Sequence, residues 1–130
     1  MRKILSLFLS IAIILTTGIN AKIDAASNGV QSAWLTTAWS LDWPKTKNNS
    51  TAQKNELIKI LDTLKDTGIN TVMFQVRPYG DAMYKSSINP WSKELTGTQG
   101  KDPGYDPLAF IIQEAHTRGM KVHAWLNPYR

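Results

Sequence analysis

Apolar residues recur with helical spacing in two segments of the chain, and a glycine and a short apolar run follow each segment. The first segment predicts a helix from about Thr51 to Thr67, and the second predicts a helix from about Asp106 to Arg118. Ser50 and Gln53 match a capping box at the start of the first helix, while Asp106 and Pro107 suit the start of the second. The predicted buried stripes are Leu57, Ile58, Leu61 and Leu64, and Leu108, Ile111, Ile112 and Ala115.

Three short apolar runs, at residues 32–37, 71–76 and 120–126, predict β-strands. The middle run has almost no polar break, which is typical of a strand that is buried on both faces in a parallel sheet. Strands that alternate with helices in this way are joined by right-handed crossovers, so all three strands are expected to be parallel.

The two faces of the predicted sheet differ in polarity. Alternation places one wholly apolar set, such as Val72, Phe74 and Val76, toward the helices. The second face carries His and Trp and is polar at the strand ends, as expected inside a barrel near its mouth. The sequence therefore predicts an α/β fold, the N-terminal part of a larger barrel, with about three strands and two helices. We expect it to be cut short, because three parallel strands leave an unpaired edge. The residues of the second face are Trp34, Thr36, Thr71, Met73, Gln75, Arg77, Lys121, His123, Trp125 and Asn127.

The first residues have the layout of a secretory signal peptide. Two basic residues precede the apolar stretch 4–15, which is shorter than the roughly 18 residues that span a membrane. An uncleaved anchor is the alternative. The sequence thus predicts a leader and cleavage region at residues 1–26, cleavage near Ala21 to Ala26, one domain at residues 27–130, and a secreted or cell-surface location.

Composition narrows the chemistry that the chain can carry. The absence of cysteine excludes disulfides, thiolate metal sites and a lipoprotein anchor. Part of the formal net charge of +5 lies in the leader, and no basic run interleaves with aromatic residues, so nucleic-acid binding is not predicted. His123 lacks a partner at ligand spacing, which favours a hydrogen-bonded interior histidine over a metal ligand or base. No metal or cofactor is predicted, membrane contact is expected only through the leader, and the sequence does not indicate an oligomeric state.

The segment between the second strand and the second helix, residues 78–105, is far longer than the about 2–6 residues usual for such loops. It lies at the C-terminal ends of parallel strands, where barrels and open sheets bind ligands. Its aromatic rings and carboxylates suit a sugar, because rings stack on a pyranose and polar groups bond its hydroxyls. A self-packed structural loop is the alternative. The loop after the first strand contains Trp39 and Trp43. We expect each indole either to pack against the rest of the domain or to bind a ligand.

A family resemblance is carried by WLTT at 34–37, QVRPYGDAMY at 75–84, PWS at 90–92, LTGTQGKDPGYDPL at 95–108 and HAWLNPYR at 123–130. Together these runs resemble the glycosyl hydrolase-like 10 family of secreted or surface bacterial proteins with a glycosidase-like TIM-barrel domain. The resemblance covers essentially everything after the leader, and the family domain is much longer than this chain. It implies a (β/α)8 barrel that acts on a carbohydrate.

The strand ends and the resemblance together indicate a set of substrate-binding residues. Gln75 and Arg77 end the second strand and Asn127 follows the third, so we expect one polar cluster, since neighbouring strands lie about 4.8 Å apart. For Arg77 the alternative is a structural contact with backbone carbonyls of the long loop. The predicted substrate-binding residues are Gln75, Arg77, Asp81, Tyr84, Trp91, Asn127 and Arg130.

Most glycosidases use a pair of carboxyl groups, yet none of the three predicted strands ends in Asp or Glu. We therefore expect the catalytic residues beyond Arg130 and expect this chain alone to be inactive. The predicted function is an extracytoplasmic glycoside hydrolase acting on a poly- or oligosaccharide, with a cell-wall or surface glycan as one candidate. The chain would then contribute part of the substrate cleft. The alternative is a non-catalytic glycan-binding or cell-wall-associated barrel.

Overall fold

The computed structural model describes residues 29–129, so the predicted leader and Arg130 lie outside the described residues. A turn of 3-10 helix at Ala38–Ser40 follows the first strand. The order of strands and long helices is the one that the hydrophobic pattern predicts. The elements are β1 (Ser32–Leu35), α1 (Ser50–Asp66), β2 (Thr71–Arg77), α2 (Lys93–Thr96), α3 (Pro107–Thr117) and β3 (Lys121–Leu126).

The three strands form one parallel sheet in the order β1-β2-β3, which confirms the predicted topology of this part of the fold. Trp34 lies opposite Met73, and Met73 lies opposite His123, so the predicted face assignments hold over most of the sheet. The register shifts between Gln75 and Arg77, near the C-terminal end of β2. All three strands therefore present their C-terminal ends at the same edge.

The hydrophobic core lies between the sheet and the two long helices. Val72, Phe74 and Val76 are buried there, and Phe74 packs against Trp43 with ring centroids 5.8 Å apart. Trp43 also donates from Nε1 to the backbone oxygen of Gln53 at 2.9 Å. Trp43 is thus part of the hydrophobic core. The fully buried apolar residues of α1 and α3 are Leu57, Leu61, Ile111 and Ala115.

The side chains of β3 are more exposed to solvent than the hydrophobic pattern predicts. Ala124 and Leu126 are exposed although alternation directs them toward the helices, because β3 is an edge strand of the described sheet. His123 is exposed on the opposite face, where an interior position was predicted. No described element forms a layer over that face, and Trp34 there is 64% exposed.

The predicted capping box at the first helix is wrong. The N-cap of α1 is Asn49, whose Oδ1 accepts from the backbone N–H of Ala52 at 3.0 Å. Gln53 instead points inward, where its Nε2 donates to the backbone oxygens of Thr46 at 2.8 Å and Leu95 at 2.7 Å. These hydrogen bonds, to the loop before α1 and to α2, outweigh the local capping contact.

The start of α3 is as predicted. Asp106 is the N-cap, and its Oδ1 accepts from the backbone N–H of Ala109 at 3.0 Å. Gly119 follows this helix with a φ of +69°, and Gly68 follows α1 with a φ of +85°. These left-handed conformations turn the chain from each helix into the next strand at little steric cost.

The long segment between β2 and α3 is largely folded onto the body. It contains α2 and a short bridge between Ala82 and Trp91, and its Met83 and Leu95 are fully buried. Tyr105 donates from its hydroxyl to Oε1 of Gln53 at 2.8 Å, which ties the end of the segment to α1. Much of this segment is therefore structural.

Candidate functional site

A cavity of about 490 Å³ opens beside the C-terminal ends of the strands. Residues after β1, the central strand β2 and the residues at the end of β3 all contribute to its wall. Ligands of parallel α/β proteins bind at this end of the sheet. The lining residues are Thr36, Ala38, Trp39, Gln75, Trp125, Asn127, Pro128 and Tyr129.

Gln75 is the most deeply placed polar residue of this wall, with 1% of its surface exposed. Its Oε1 accepts hydrogen bonds from the backbone N–H groups of Thr37 and Ala38, both at 2.9 Å. The hydroxyl of Thr37 donates to the backbone oxygen of Gln75, also at 2.9 Å. Gln75 therefore connects the central strand to the turn that follows β1.

Trp39 stands on that turn, and 68% of its surface is exposed. Both Trp39 and Ser40 have a φ of +54°, a region that residues other than glycine rarely adopt. The indole meets the ring of Tyr79 edge to face, with centroids 5.7 Å apart. Backbone strain of this kind persists only where surrounding contacts hold it, and it commonly marks functional positions.

Glu94, in α2, supplies one of those contacts. Its Oε2 accepts hydrogen bonds from Oγ of Ser40 and Nζ of Lys47, both at 2.8 Å. Burial by itself would raise the pKa of Glu94, but these hydrogen bonds and the charges of Lys47 and Lys93 outweigh it and leave the pKa below its usual value. Glu94 is thus an ionised anchor for the Trp39 turn and a poor proton donor.

We expect the anchor to weaken in acid. Because the pKa of Glu94 is lower in the folded than in the unfolded protein, its stabilisation is complete above the ordinary value of 4.5 and is lost as the pH falls through the lowered value. The difference in Tm between wild type and Glu94→Gln should therefore shrink from neutral pH to strongly acidic pH. Thermal melts across that range test this, and a constant difference would contradict an ionised anchor.

Asn127 connects the end of β3 to its neighbours. Its Nδ2 donates to the backbone oxygen of Pro78 at 3.2 Å, and its Oδ1 accepts from Nε1 of Trp125 at 2.9 Å. Arg77 donates from Nη1 to the backbone oxygen of Asn127 at 2.7 Å. Arg77 and Asn127 thus lie side by side, but Arg77 contacts a backbone carbonyl and does not line the cavity. The alternative for Arg77 was a contact with carbonyls of the long loop, whereas the observed carbonyl belongs to Asn127, after β3.

Three further predicted substrate-binding residues, Asp81, Tyr84 and Trp91, do not line the cavity. Asp81 is 1% exposed and accepts from the backbone N–H of Tyr79 at 3.0 Å through Oδ1. Tyr84 and Trp91 are partly buried against the hydrophobic core. Arg130 lies outside the described residues. Of the predicted set, Gln75 and Asn127 meet at the cavity.

Six lining residues were missing from the predicted set, namely Thr36, Ala38, Trp39, Trp125, Pro128 and Tyr129. Strand alternation already places Thr36 and Trp125 on the cavity side of the sheet. Trp39 is one of the two loop tryptophans that the sequence predicts either to pack on the protein or to bind a ligand. Tyr129 lies within the final family-like run. These three observations, combined with the rule that ligands bind at the C-terminal ends of parallel strands, identify most of the residues that line the cavity.

The acidic residues of the loops and of α2 make their contacts outside the cavity. Oδ2 of Asp42 accepts from the backbone N–H of Thr36 at 2.7 Å, and Oδ1 of Asp102 accepts from that of Gly104 at 2.7 Å. Asp81 and Glu94 make the contacts described above. Among residues 29–129, no carboxylate lines the cavity. The arrangement offers aromatic surfaces and neutral hydrogen-bonding groups, which suit the binding of a polyhydroxylated molecule.

A search of the described range for other kinds of site gives two further findings. No group of three or more His, Asp or Glu residues between positions 29 and 129 is placed to hold a metal ion. In the same part of the chain, no helix is both long and apolar enough to cross a membrane.

Comparison with known proteins identifies the relatives of the chain. It is 49% identical over 112 residues to glycosyl hydrolase YngK of Bacillus subtilis (strain 168), covering 85% of this chain and 21% of that protein. It is 48% identical over 118 residues to glycosyl hydrolase DigH of Escherichia coli (strain K12), covering 85% of this chain and 27% of that protein. The chain thus spans about a quarter of the length of these curated relatives. Residues 29–129 match the glycosyl hydrolase-like 10 model, and the chain belongs to that family.

Proposed function

We propose that the protein is an extracytoplasmic glycoside hydrolase and that the cavity holds one sugar of a poly- or oligosaccharide. The observation that carries this proposal is the meeting of Trp39 and Trp125 with the amides of Gln75 and Asn127 around one cavity. Indole surfaces pack on the apolar faces of a pyranose, and amides bond its hydroxyls. The names of the relatives support hydrolysis of a glycoside as the reaction.

We infer that the sheet belongs to a (β/α)8 barrel. Its parallel βαβ units, its open face with Trp34 and His123, and the exposed Leu126 at the end of β3 all support a sheet that continues past β3. We assign residues 1–26 the role of a leader that carries the protein out of the cytoplasm. The substrate would then be a glycan outside the cytoplasm, with a cell-wall or surface glycan as one candidate.

In this scheme the cavity binds and orients the sugar, and carboxyl groups perform the chemistry. A glycosidase places two carboxyl groups about 5–9.5 Å apart across the scissile bond. Since no carboxylate of residues 29–129 lines the cavity, we assign the acid pair to parts of the family domain outside this range. The same observation favours the second candidate, a glycan-binding barrel without catalytic acids.

Release of reducing ends separates the two candidates. The protein produced from its natural gene is incubated with purified cell-wall glycans and with neutral oligosaccharides, and binding is followed in parallel by isothermal titration calorimetry. Hydrolysis together with binding supports the hydrolase, and binding without any release of reducing ends supports the glycan-binding barrel. Failure to bind any glycan would contradict both.

Trp39→Ala should weaken oligosaccharide binding by about 10- to 100-fold, equivalent to about 1.4–2.8 kcal/mol, because it removes an exposed ring from the cavity. Stability should change little, since Trp39 is mostly exposed. Leu41→Ala is the matched control, because Leu41 is also large and 61% exposed but does not line the cavity. Titration calorimetry measures both, and equal losses of affinity in the two variants would contradict the assignment of Trp39.

A further inference from the structure

The wall of the cavity carries no formal charge within the described residues. Its side chains are indoles, a phenol, amides, a hydroxyl and small apolar groups. Arg77, the nearby basic residue, directs Nη1 to the backbone oxygen of Asn127 and does not line the cavity. Glu94 contacts Ser40 and Lys47 instead. A charged sugar that entered this wall would lose water without gaining an opposite charge, and such burial is costly.

Gln75 presents a donor to the cavity. The two backbone N–H groups of Thr37 and Ala38 can only donate, so the side-chain oxygen of Gln75 must face them. This settles the orientation of the amide, which otherwise depends on assignment. Nε2 must then face the other way, and within residues 29–129 it makes no hydrogen bond. Gln75 is only 1% exposed and lines the cavity, so its amide nitrogen is a fixed donor at the deepest part of the wall.

A fixed donor selects its partner by chemistry. It requires an acceptor such as a hydroxyl, ring or acyl oxygen, all of which an uncharged sugar supplies. A protonated amino sugar presents an ammonium group, which can only donate, and no carboxylate of the described wall would balance its charge. A uronic acid supplies an acceptor, but no cation of the described wall balances it. An uncharged pyranose therefore fits this wall better than either.

We propose that the cavity is a subsite for an uncharged pyranose and that Nε2 of Gln75 is its specificity-determining donor. This rests on the proposed sugar-binding function and adds the substrate class and the residue that selects it. Trp39, on the turn after β1, and Trp125, in β3, flank Gln75 of the central strand β2. The sugar ring would contact these indoles while Nε2 bonds an oxygen at its edge.

The first test compares substrates of different charge. Binding of the protein produced from its natural gene is measured by titration calorimetry with cellotetraose, maltotetraose and chitotetraose as neutral probes. Tetragalacturonate serves as the anionic probe and chitosan tetraose as the cationic one. We expect at least one neutral probe to bind 10-fold or more tightly than both charged probes. Equal or tighter binding of a charged probe would overturn this inference while leaving the sugar site intact, and no binding of any probe would overturn the proposed function as well.

The second test removes the donor. Gln75→Glu keeps an oxygen for the N–H groups of Thr37 and Ala38 but replaces Nε2 with an acceptor and adds a negative charge. Affinity for the neutral probe should fall at least 10-fold. Thr37→Val is the control, because it removes the hydroxyl contacts to the backbone oxygen and to Oε1 of Gln75 but keeps the Nε2 donor. It should lower Tm but keep the preference for the neutral probe. Wild-type affinity in Gln75→Glu, or an equal loss in Thr37→Val, would overturn the role of Nε2.

Discussion

Phe74→Ala should lower the free energy of unfolding by about 3–5 kcal/mol, the usual cost of truncating a buried phenylalanine. Phe74 is fully buried in the middle strand and packs against Trp43, which is also fully buried. The substitution leaves a cavity between the sheet and the loop after β1, and close-packed neighbours can fill it only in part. Urea unfolding followed by circular dichroism measures the change.

Met73→Ala is the control for this prediction, because Met73 is the preceding residue of β2 and lies on the opposite, partly open face. Its loss should be clearly smaller, since less of the side chain leaves water on folding. Equal losses at the two positions would mean that the helix-facing side of the sheet is not the main core.

The second large effect is expected for Gln53→Met. This substitution keeps the approximate volume but removes the partners of the carbonyls of Thr46 and Leu95 and of the hydroxyl of Tyr105. A buried polar group left without a partner costs about 1–3 kcal/mol, so we expect a total loss of about 3 kcal/mol. Burial, aided by the charge of Glu56, raises the pKa of Tyr105, so its hydroxyl stays protonated and keeps this bond at neutral pH.

Gln113→Met provides the matched control for Gln53, because Gln113 is an exposed glutamine in the middle of α3. Its free energy of unfolding should change by less than about 0.5 kcal/mol, as for most surface substitutions. A similarly small change in Gln53→Met would show that the three side-chain hydrogen bonds of Gln53 add nothing to stability.

The parts of the fold that were predicted correctly depend on local patterns. Hydrophobic spacing predicts which face of an element is buried, as it does for Leu57 and Leu61 and for the apolar run around Phe74. These predictions succeed because the burial of apolar side chains is the dominant driving force of folding. The role of Gln53 depends largely on Leu95 and Tyr105, which are distant in sequence, so the local spacing with Ser50 was misleading. The four-residue helix α2 is too short to show a helical period.

The candidate site was predicted in part for similar reasons. Uninterrupted alternation would pair Arg77 with Asn127, but the register shift after Gln75 pairs Arg77 with Leu126. A shift of this kind re-aims a side chain, and it has no signature in the amino-acid pattern. Trp39 and Trp43 are equally apolar, and tertiary contacts decided that one is buried and the other lies at the cavity.

The contact between Trp34 and Trp125 has a spectroscopic consequence. The two indoles meet edge to face with centroids 4.9 Å apart, one from β1 and the other from β3, on either side of the central strand. Transitions of rings this close couple as an exciton, and the coupling disappears when either outer strand leaves β2. The circular dichroism signal of this tryptophan pair in the far ultraviolet therefore reports whether all three strands are paired, independently of the signal of the helices.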